Sequence, residues 1–260
     1  MDTVTEQEYI IQVDAAKKAD VNIDTIKNML DTALKAFPDS IKLLTRKYLL
    51  SVYDYLDYKT ALEICNRQIE LHKDSENNWQ WYNNRAAMYN QLGEYDKAIV
   101  DADTALQINS EDPYPYYQRG KARSSKEFFD DALQDFNRAI ALKPEGDELW
   151  YEGRAYVYWK QERFSEAIQD CSTAIRLSNQ TADFSLYMRA EMYFSRKQYA
   201  AALADYTKVI QMEKGRTPVD KDFLADMYNM QKQCRRFLKN HAAEELTQEA
   251  TLNFDEEDMV

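Results

Sequence analysis

Tyr95-Asp-Lys-Ala-Ile-Val-Asp101 returns three times, as Phe129-Asp-Asp-Ala-Leu-Gln-Asp135, Phe164-Ser-Glu-Ala-Ile-Gln-Asp170 and Tyr199-Ala-Ala-Ala-Leu-Ala-Asp205. The anchor alanines Ala98, Ala132, Ala167 and Ala202 stand 34, 35 and 35 residues apart, and a fainter copy, Tyr58-Lys-Thr-Ala-Leu-Glu-Ile64, precedes them by 37. A fixed period of this length signals stacked supersecondary units, each too small to bury its apolar face alone. Working outward, an Arg stands 13 residues before four of the alanines (Arg85, Arg119, Arg154, Arg189), and Ala105, Ala139, Ala174 and Val209 follow seven after. Apolar positions fall at helical spacing in two short runs per copy, separated by polar breaks such as Gln91-Leu-Gly-Glu94. A small anchor residue lets two helix backbones approach closely. The expected unit is therefore helix, tight turn, helix, turn.

The residues Tyr82…Arg85-Ala86…Tyr89…Gly93…Tyr95…Ala98…Ala105-Leu106…Ile108 and their downstream equivalents make this chain resemble the tetratricopeptide repeat family. Pro144 and Pro38 fit that family's proline after the second helix, whereas Asn109-Ser110 and Ser178-Asn179 replace it elsewhere. The resemblance implies an all-α solenoid of about six hairpins, a right-handed superhelix that binds peptides or proteins on its concave side. Units are expected near 7–41, 42–78, 79–112, 113–147, 148–182 and 183–216, after a frayed 1–6. Thr217-Pro218-Val-Asp220 reads as the start of a capping helix over 217–241, with a cap residue, then Pro, then an acid. Residues 242–260 read as an acidic, disordered tail, which could be a ligand for another module or for this chain's own groove.

Composition narrows the function. The formal net charge is −12, but residues 241–260 carry seven acids and no Lys or Arg, leaving −5 for the rest. A phosphate-backbone ligand needs a basic stripe, so nucleic acid is not an expected partner. No 20-residue apolar run spans a membrane. Met1-Asp-Thr-Val-Thr-Glu-Gln-Glu lacks the apolar core of a secretory signal, and Cys65, Cys171 and Cys234 fall on apolar helix faces. A cytoplasmic location is expected. The only histidines are His72 and His241, too few for a histidine metal site or a Ser–His–Asp set, and the five glycines form no phosphate loop. A non-catalytic chain with no cofactor and no metal is expected.

Two sets of residues stand out. Asp101, Asp135, Asp170 and Asp205 each lie 16 residues after a repeat Arg, on the second helix of the same hairpin. They suit a ladder of partly buried ion pairs, with Arg85, Arg119, Arg154 and Arg189 as the other half. The second set follows from helical phase and the family resemblance, which place Asn83, Asn84, Tyr117, Gln118, Lys121, Tyr156 and Tyr187 on the concave face, with Trp159 just outside. Arg46, Lys47 and Leu50, and Met188, are equivalents in other first helices. Rings anchor interfaces and amides grip extended backbones. The expected function is a protein–protein scaffold or adaptor binding a peptide segment. A structural subunit that oligomerises through its edges or convex face is the alternative. A third is a co-chaperone-like binder of an acidic C-terminal peptide. Asn84 matches that subclass, yet Arg46 and Leu50, and Tyr114 and Gln118, stand where it would offer Lys with Asn, and Lys with Arg.

Overall fold

A computed structural model describes residues 4–179, 182–216 and 219–257, with side chains described through residue 240. The described residues form thirteen α-helices: α1 (Glu6–Lys18), α2 (Ile23–Ala36), α3 (Ile41–Tyr53), α4 (Tyr58–Leu71), α5 (Trp79–Gln91), α6 (Tyr95–Ile108), α7 (Pro113–Ser125), α8 (Phe129–Leu142), α9 (Glu148–Lys160), α10 (Phe164–Leu177), α11 (Asp183–Ser195), α12 (Tyr199–Lys214) and α13 (Lys221–Glu257). The fold is an all-α solenoid of helical hairpins. Two compact units divide the chain, residues 1–142 with α1 to α8 and residues 143–260 with α9 to α13.

Each hairpin closes through the same local physics. One residue in each intra-hairpin turn is left-handed: Asp20, Leu56, Gly93, Glu127, Glu162 and Lys197, with φ between 52° and 75°. In five of these turns the next residue's N–H reaches back five residues, as from Glu94 to the Tyr89 carbonyl at 2.9 Å and from Phe128 to the Arg123 carbonyl at 2.8 Å. This Schellman geometry satisfies helix-end carbonyls, and glycine adopts it without strain. Only Gly93 takes that advantage. Helix starts are capped by short polar side chains: Asp112 Oδ1 accepts from Tyr114 N, Asp147 Oδ1 from Leu149 N, and Asp220 Oδ1 from Phe223 N. Thr217 and Pro218, read above as part of that last start, lie outside the described residues.

The cores are distributed rather than central. The anchors Ala61, Ala98, Ala132, Ala167 and Ala202 are fully buried. In the first unit, Ile10, Leu30, Leu43 and Leu50 form one cluster, Tyr48, Ala61, Cys65 and Met88 the next, and Ala86, Ala98, Ala102 and Ala122 a third. In the second, Ala155, Cys171, Met188 and Met192 form a cluster, followed by Leu186, Tyr206, Met227 and Cys234. Within each unit, hairpins bury their faces on sequential neighbours, the nearest-neighbour logic of repeat proteins. Where a neighbour is bulky, the facing residue shrinks. A Cβ built on Gly120 would lie 3.0 Å from the Phe136 ring.

Three expectations are corrected. Leu50 is core, at 4% exposure, while Leu49 beside it is open at 39%. The turn after α3 is one residue longer than the turn after α5, so helical phase carried back from Ala61 slips by one. Met188, placed on the groove by phase, is also fully buried. Finally, α13 continues to Glu257 rather than stopping near His241. The sequence after Asn240 offers no Gly or Pro to end it, and Ala242, Ala243, Glu244, Glu245 and Leu246 are good helix formers.

Candidate functional site

The ladder residues meet as pairs across each hairpin. Arg85 donates Nε and Nη2 to Asp101 at 2.6 and 2.7 Å. Arg119 donates to Asp135 at 2.6–3.1 Å, Arg154 to Asp170 at 2.7 and 2.8 Å, and Arg189 to Asp205 at 2.8 and 2.9 Å. The four carboxylates are buried, and the arginine side chains keep about a fifth of their surface or less. Bidentate forks of this kind are the strong form of an ion pair. Burial pulls the Arg119 guanidinium down, but its bonds to Asp135 and Asp103 outweigh that and raise it. Tyrosines roof the cations: Tyr82 and Tyr89 over Arg85, Tyr151 and Tyr158 over Arg154.

The third prong was not read from the sequence. Nη1 of Arg85 bonds Asn66 of α4 at 2.8 Å, Nη1 of Arg119 bonds Asp103 of α6 at 2.5 Å, and Nη1 of Arg189 bonds Ser172 of α10 at 2.8 Å. Each acceptor sits five residues after an anchor alanine, on the second helix of the preceding hairpin. One guanidinium thus joins three helices. Lys47, phased as a groove residue, takes the same place one hairpin earlier and pairs with Asp31 of α2 at 2.9 Å. The signal was available as a polar residue recurring two positions after each ladder Asp.

The candidate groove residues lie on the first helices of the hairpins, and all are half-buried. In the first unit, α5 packs beside α7. Asn90 of α5 clasps α7, its Nδ2 donating to the Gln118 carbonyl at 2.9 Å and to Gln118 Oε1 at 3.1 Å. Tyr117 tilts against Phe136, 6.1 Å between centroids. Asn83 and Asn84 share the face, and the amide oxygens of Asn83 and Asn90 accept no hydrogen bond. Tyr114 is exposed beside Tyr117. Arg46 of α3 is already held by Asp14 of α1, through bonds of 2.7 and 2.6 Å. Lys121 completes the α7 side of the face.

In the second unit, Tyr156 and Trp159 of α9 form an edge-to-face pair at 6.0 Å, with the Lys160 ammonium 5.4 Å from both rings. Glu152, one turn earlier, accepts from Ser185 of α11 at 2.8 Å. Burial raises its carboxyl above the usual range, against the Ser185 bond, and Asp183, Glu148 and Asp147 push the same way as burial. Tyr187 is drawn toward the last helix instead of being left open. Its ring lies edge-on to Phe223 of α13 at 5.9 Å, and burial raises its phenol.

Among the described residues no helix is long and apolar enough to cross a membrane, and no cluster of His, Cys, Asp or Glu could hold a metal. The three cysteines are buried and unbridged.

Comparison with known proteins places this arrangement. A small glutamine-rich tetratricopeptide repeat-containing protein 2 from Mycosarcoma maydis is 30% identical over 93 residues, 36% of this chain and 26% of that protein. BBSome complex member BBS4 of Mus musculus is 27% identical over 146 residues, 55% of this chain and 26% of that one. The chain spans about a quarter or less of the length of these relatives. Among solved structures, a tetratricopeptide repeat protein from Parabacteroides merdae aligns with a TM-score of 0.68 at 18% identity, covering 87% of this chain and 84% of that one. Yeast Tom70 aligns at 0.68 and 16% identity, covering 95% and 50%. Matches to the family described as Tetratricopeptide repeat occupy residues 79–112, 117–182 and 185–215, just over half of the sequence. With that span matched and the anchor alanine repeated in five hairpins, the chain belongs to the tetratricopeptide repeat family, a family of protein-interaction scaffolds.

Proposed function

We propose that the chain is an adaptor that binds an extended peptide segment of a partner protein along the face formed by α5 and α7. One observation carries this reading: α5 and α7, which pack together and are clasped by Asn90 and Gln118, carry half-buried amides and a phenol at Asn83, Asn84, Gln118 and Tyr117. Side-chain amides of this kind grip an extended backbone. Tyr117 supplies a stiff ring for apolar side chains of the ligand. Lys121 adds one cation.

The ligand is read by its backbone and rings rather than by a terminal carboxylate. Arg46, the one cation of α3 facing that role, is neutralised by Asp14. Tyr114 and Gln118 offer no charge on α7. This disfavours the acidic C-terminal peptide as the ligand.

The test is a pull-down from lysate followed by cross-linking that locates the bound segment, and then titration of that synthetic segment. Wild type is compared with an Asn84→Ala/Tyr117→Ala variant of unchanged helicity. A segment cross-linked to α5 and α7, and weakened about a hundredfold in the variant by losses of roughly 1–2 kcal/mol per anchor, supports the reading. Equal binding by both proteins moves the site off this face.

A further inference from the structure

Leu149, Glu152, Tyr156 and Trp159 of α9 are spaced as i, i+3, i+7 and i+10, which sets them on one face of the helix. Two kinds of group stand side by side there. Tyr156 and Trp159 lie 6.0 Å apart with their planes at 63°, two walls of a corner. The Lys160 ammonium is 5.4 Å from the centre of each ring. Aromatic faces are electron-rich and attract a cation within about 6 Å of the centroid. The corner thus already takes an alkylammonium, supplied by its own helix. Lys160 is exposed, and at an exposed site such a contact is weak and readily exchanged.

Glu152 stands one turn before Tyr156, so the two side chains are neighbours on the helix surface. Its carboxylate is half-buried and accepts from a neutral donor of α11, Ser185 Oγ, at 2.8 Å. Burial raises its carboxyl, and Asp183, Glu148 and Asp147 push the same way. A cation brought to Glu152 relieves that repulsion, and a neutral ligand does not. Large apolar groups are left open on either side: Leu149 at 40%, and Phe184, next to Ser185, at 42%. A lysine side chain matches the whole arrangement, with an aliphatic stem for the rings and an ammonium for both the rings and the acid.

We propose that this face of α9 and α11 captures a lysine side chain of a partner protein, with Tyr156 and Trp159 holding the ammonium and its stem and Glu152 supplying the counter-charge. Lys160 occupies the corner in the free chain and gives way to the ligand. The site lies in the second unit and does not depend on the α5–α7 reading.

Nuclear magnetic resonance of the whole chain tests it. The four tryptophans give four indole signals, and Trp159→Phe identifies that of Trp159. The probes are Nα-acetyl-lysine methylamide, its neutral analogue Nα-acetyl-norleucine methylamide, and choline, all at matched ionic strength. The expected result is a saturable shift at Trp159 with the lysine probe and none with norleucine. Glu152→Gln, which removes a charge at constant shape, should weaken binding roughly tenfold. Lys160→Ala should tighten it roughly threefold by vacating the rings. Lys143→Ala, the same charge change at an exposed loop position, should leave it unaltered. Merely structural roles for Glu152 and Lys160 would not move affinity in opposite directions. A Trp159 signal still in both wild type and Lys160→Ala overturns the proposal. So does an equal response to norleucine, or a Glu152→Gln or Lys160→Ala affinity equal to wild type. A site that answers to choline and not to the lysine probe takes a small quaternary ammonium and equally overturns lysine capture.

Discussion

Arg154 holds Asp170 with two prongs, Nε to Oδ2 at 2.7 Å and Nη2 to Oδ1 at 2.8 Å, across the two helices of one hairpin. Burial pushes the Asp170 carboxyl up and the Arg154 bonds pull against it, so the arginine is what makes a charged Asp170 tolerable there. Removing one member of a buried pair strands the other, at about 3–5 kcal/mol. Arg154→Ala should lower the free energy of unfolding by that much, whereas an apolar replacement of both residues should cost far less. An unchanged melting temperature for Arg154→Ala would show that the pair contributes nothing.

The left-handed turns make the opposite kind of prediction. Glu127, Glu162 and Lys197 hold φ of 63°, 58° and 60° without being glycine. Their strain is about 1 kcal/mol each, partly offset by the greater freedom glycine has when unfolded. Glu127→Gly, Glu162→Gly and Lys197→Gly should each stabilise by about 0.5 kcal/mol. Gly93→Ala should cost about 1 kcal/mol through backbone strain alone, since a Cβ there meets nothing within 4 Å. Urea midpoints at constant slope measure both.

Glu152 gives the fold a pH-dependent weak point. Its carboxyl is raised, first by burial and then by Asp183, Glu148 and Asp147, against the Ser185 bond. The folded chain therefore keeps a proton that the unfolded chain has released. Stability from this group is present below the ordinary glutamate value and is lost as pH rises through the folded one. Glu152→Gln should gain stability at pH 7 relative to wild type and show no such advantage at pH 4. Equal gains at both pH values would mean that desolvation of the carboxylate is not the cause.

The cysteines should be silent in the native state. Burial pushes the Cys65 thiol up to about 12 and raises Cys171 and Cys234 as well. Thiolate is the reactive form. Disulfide-exchange reagents should label the native chain at the rate of unfolding, and all three thiols at once in denaturant. Fast labelling of any one in buffer would contradict the burial described.

Much of this was open to a reader of the sequence alone, for a definite reason. Ala98, Ala132, Ala167 and Ala202 recur because two helices cannot approach closely over anything larger, and the ladder Arg and Asp recur because a buried charge tolerates no unpaired neighbour. Both are local constraints repeated at a fixed period, and they determine the hairpin, its boundaries and the partner of each ladder arginine. What acts between hairpins needed tertiary structure. One extra residue in the turn after α3 turned Leu50 into core and Leu49 outward, because a helix rotates by 100° for each residue of slip. Tyr187 read as a groove ring until Phe223 of α13 came to rest against it. The third prong of Arg85, Arg119 and Arg189 lands on the preceding hairpin, and stacking alone chose Asn66, Asp103 and Ser172 to receive it. Periodicity specifies the repeat, whereas the packing of one repeat on the next decides which of its residues remain available to a partner.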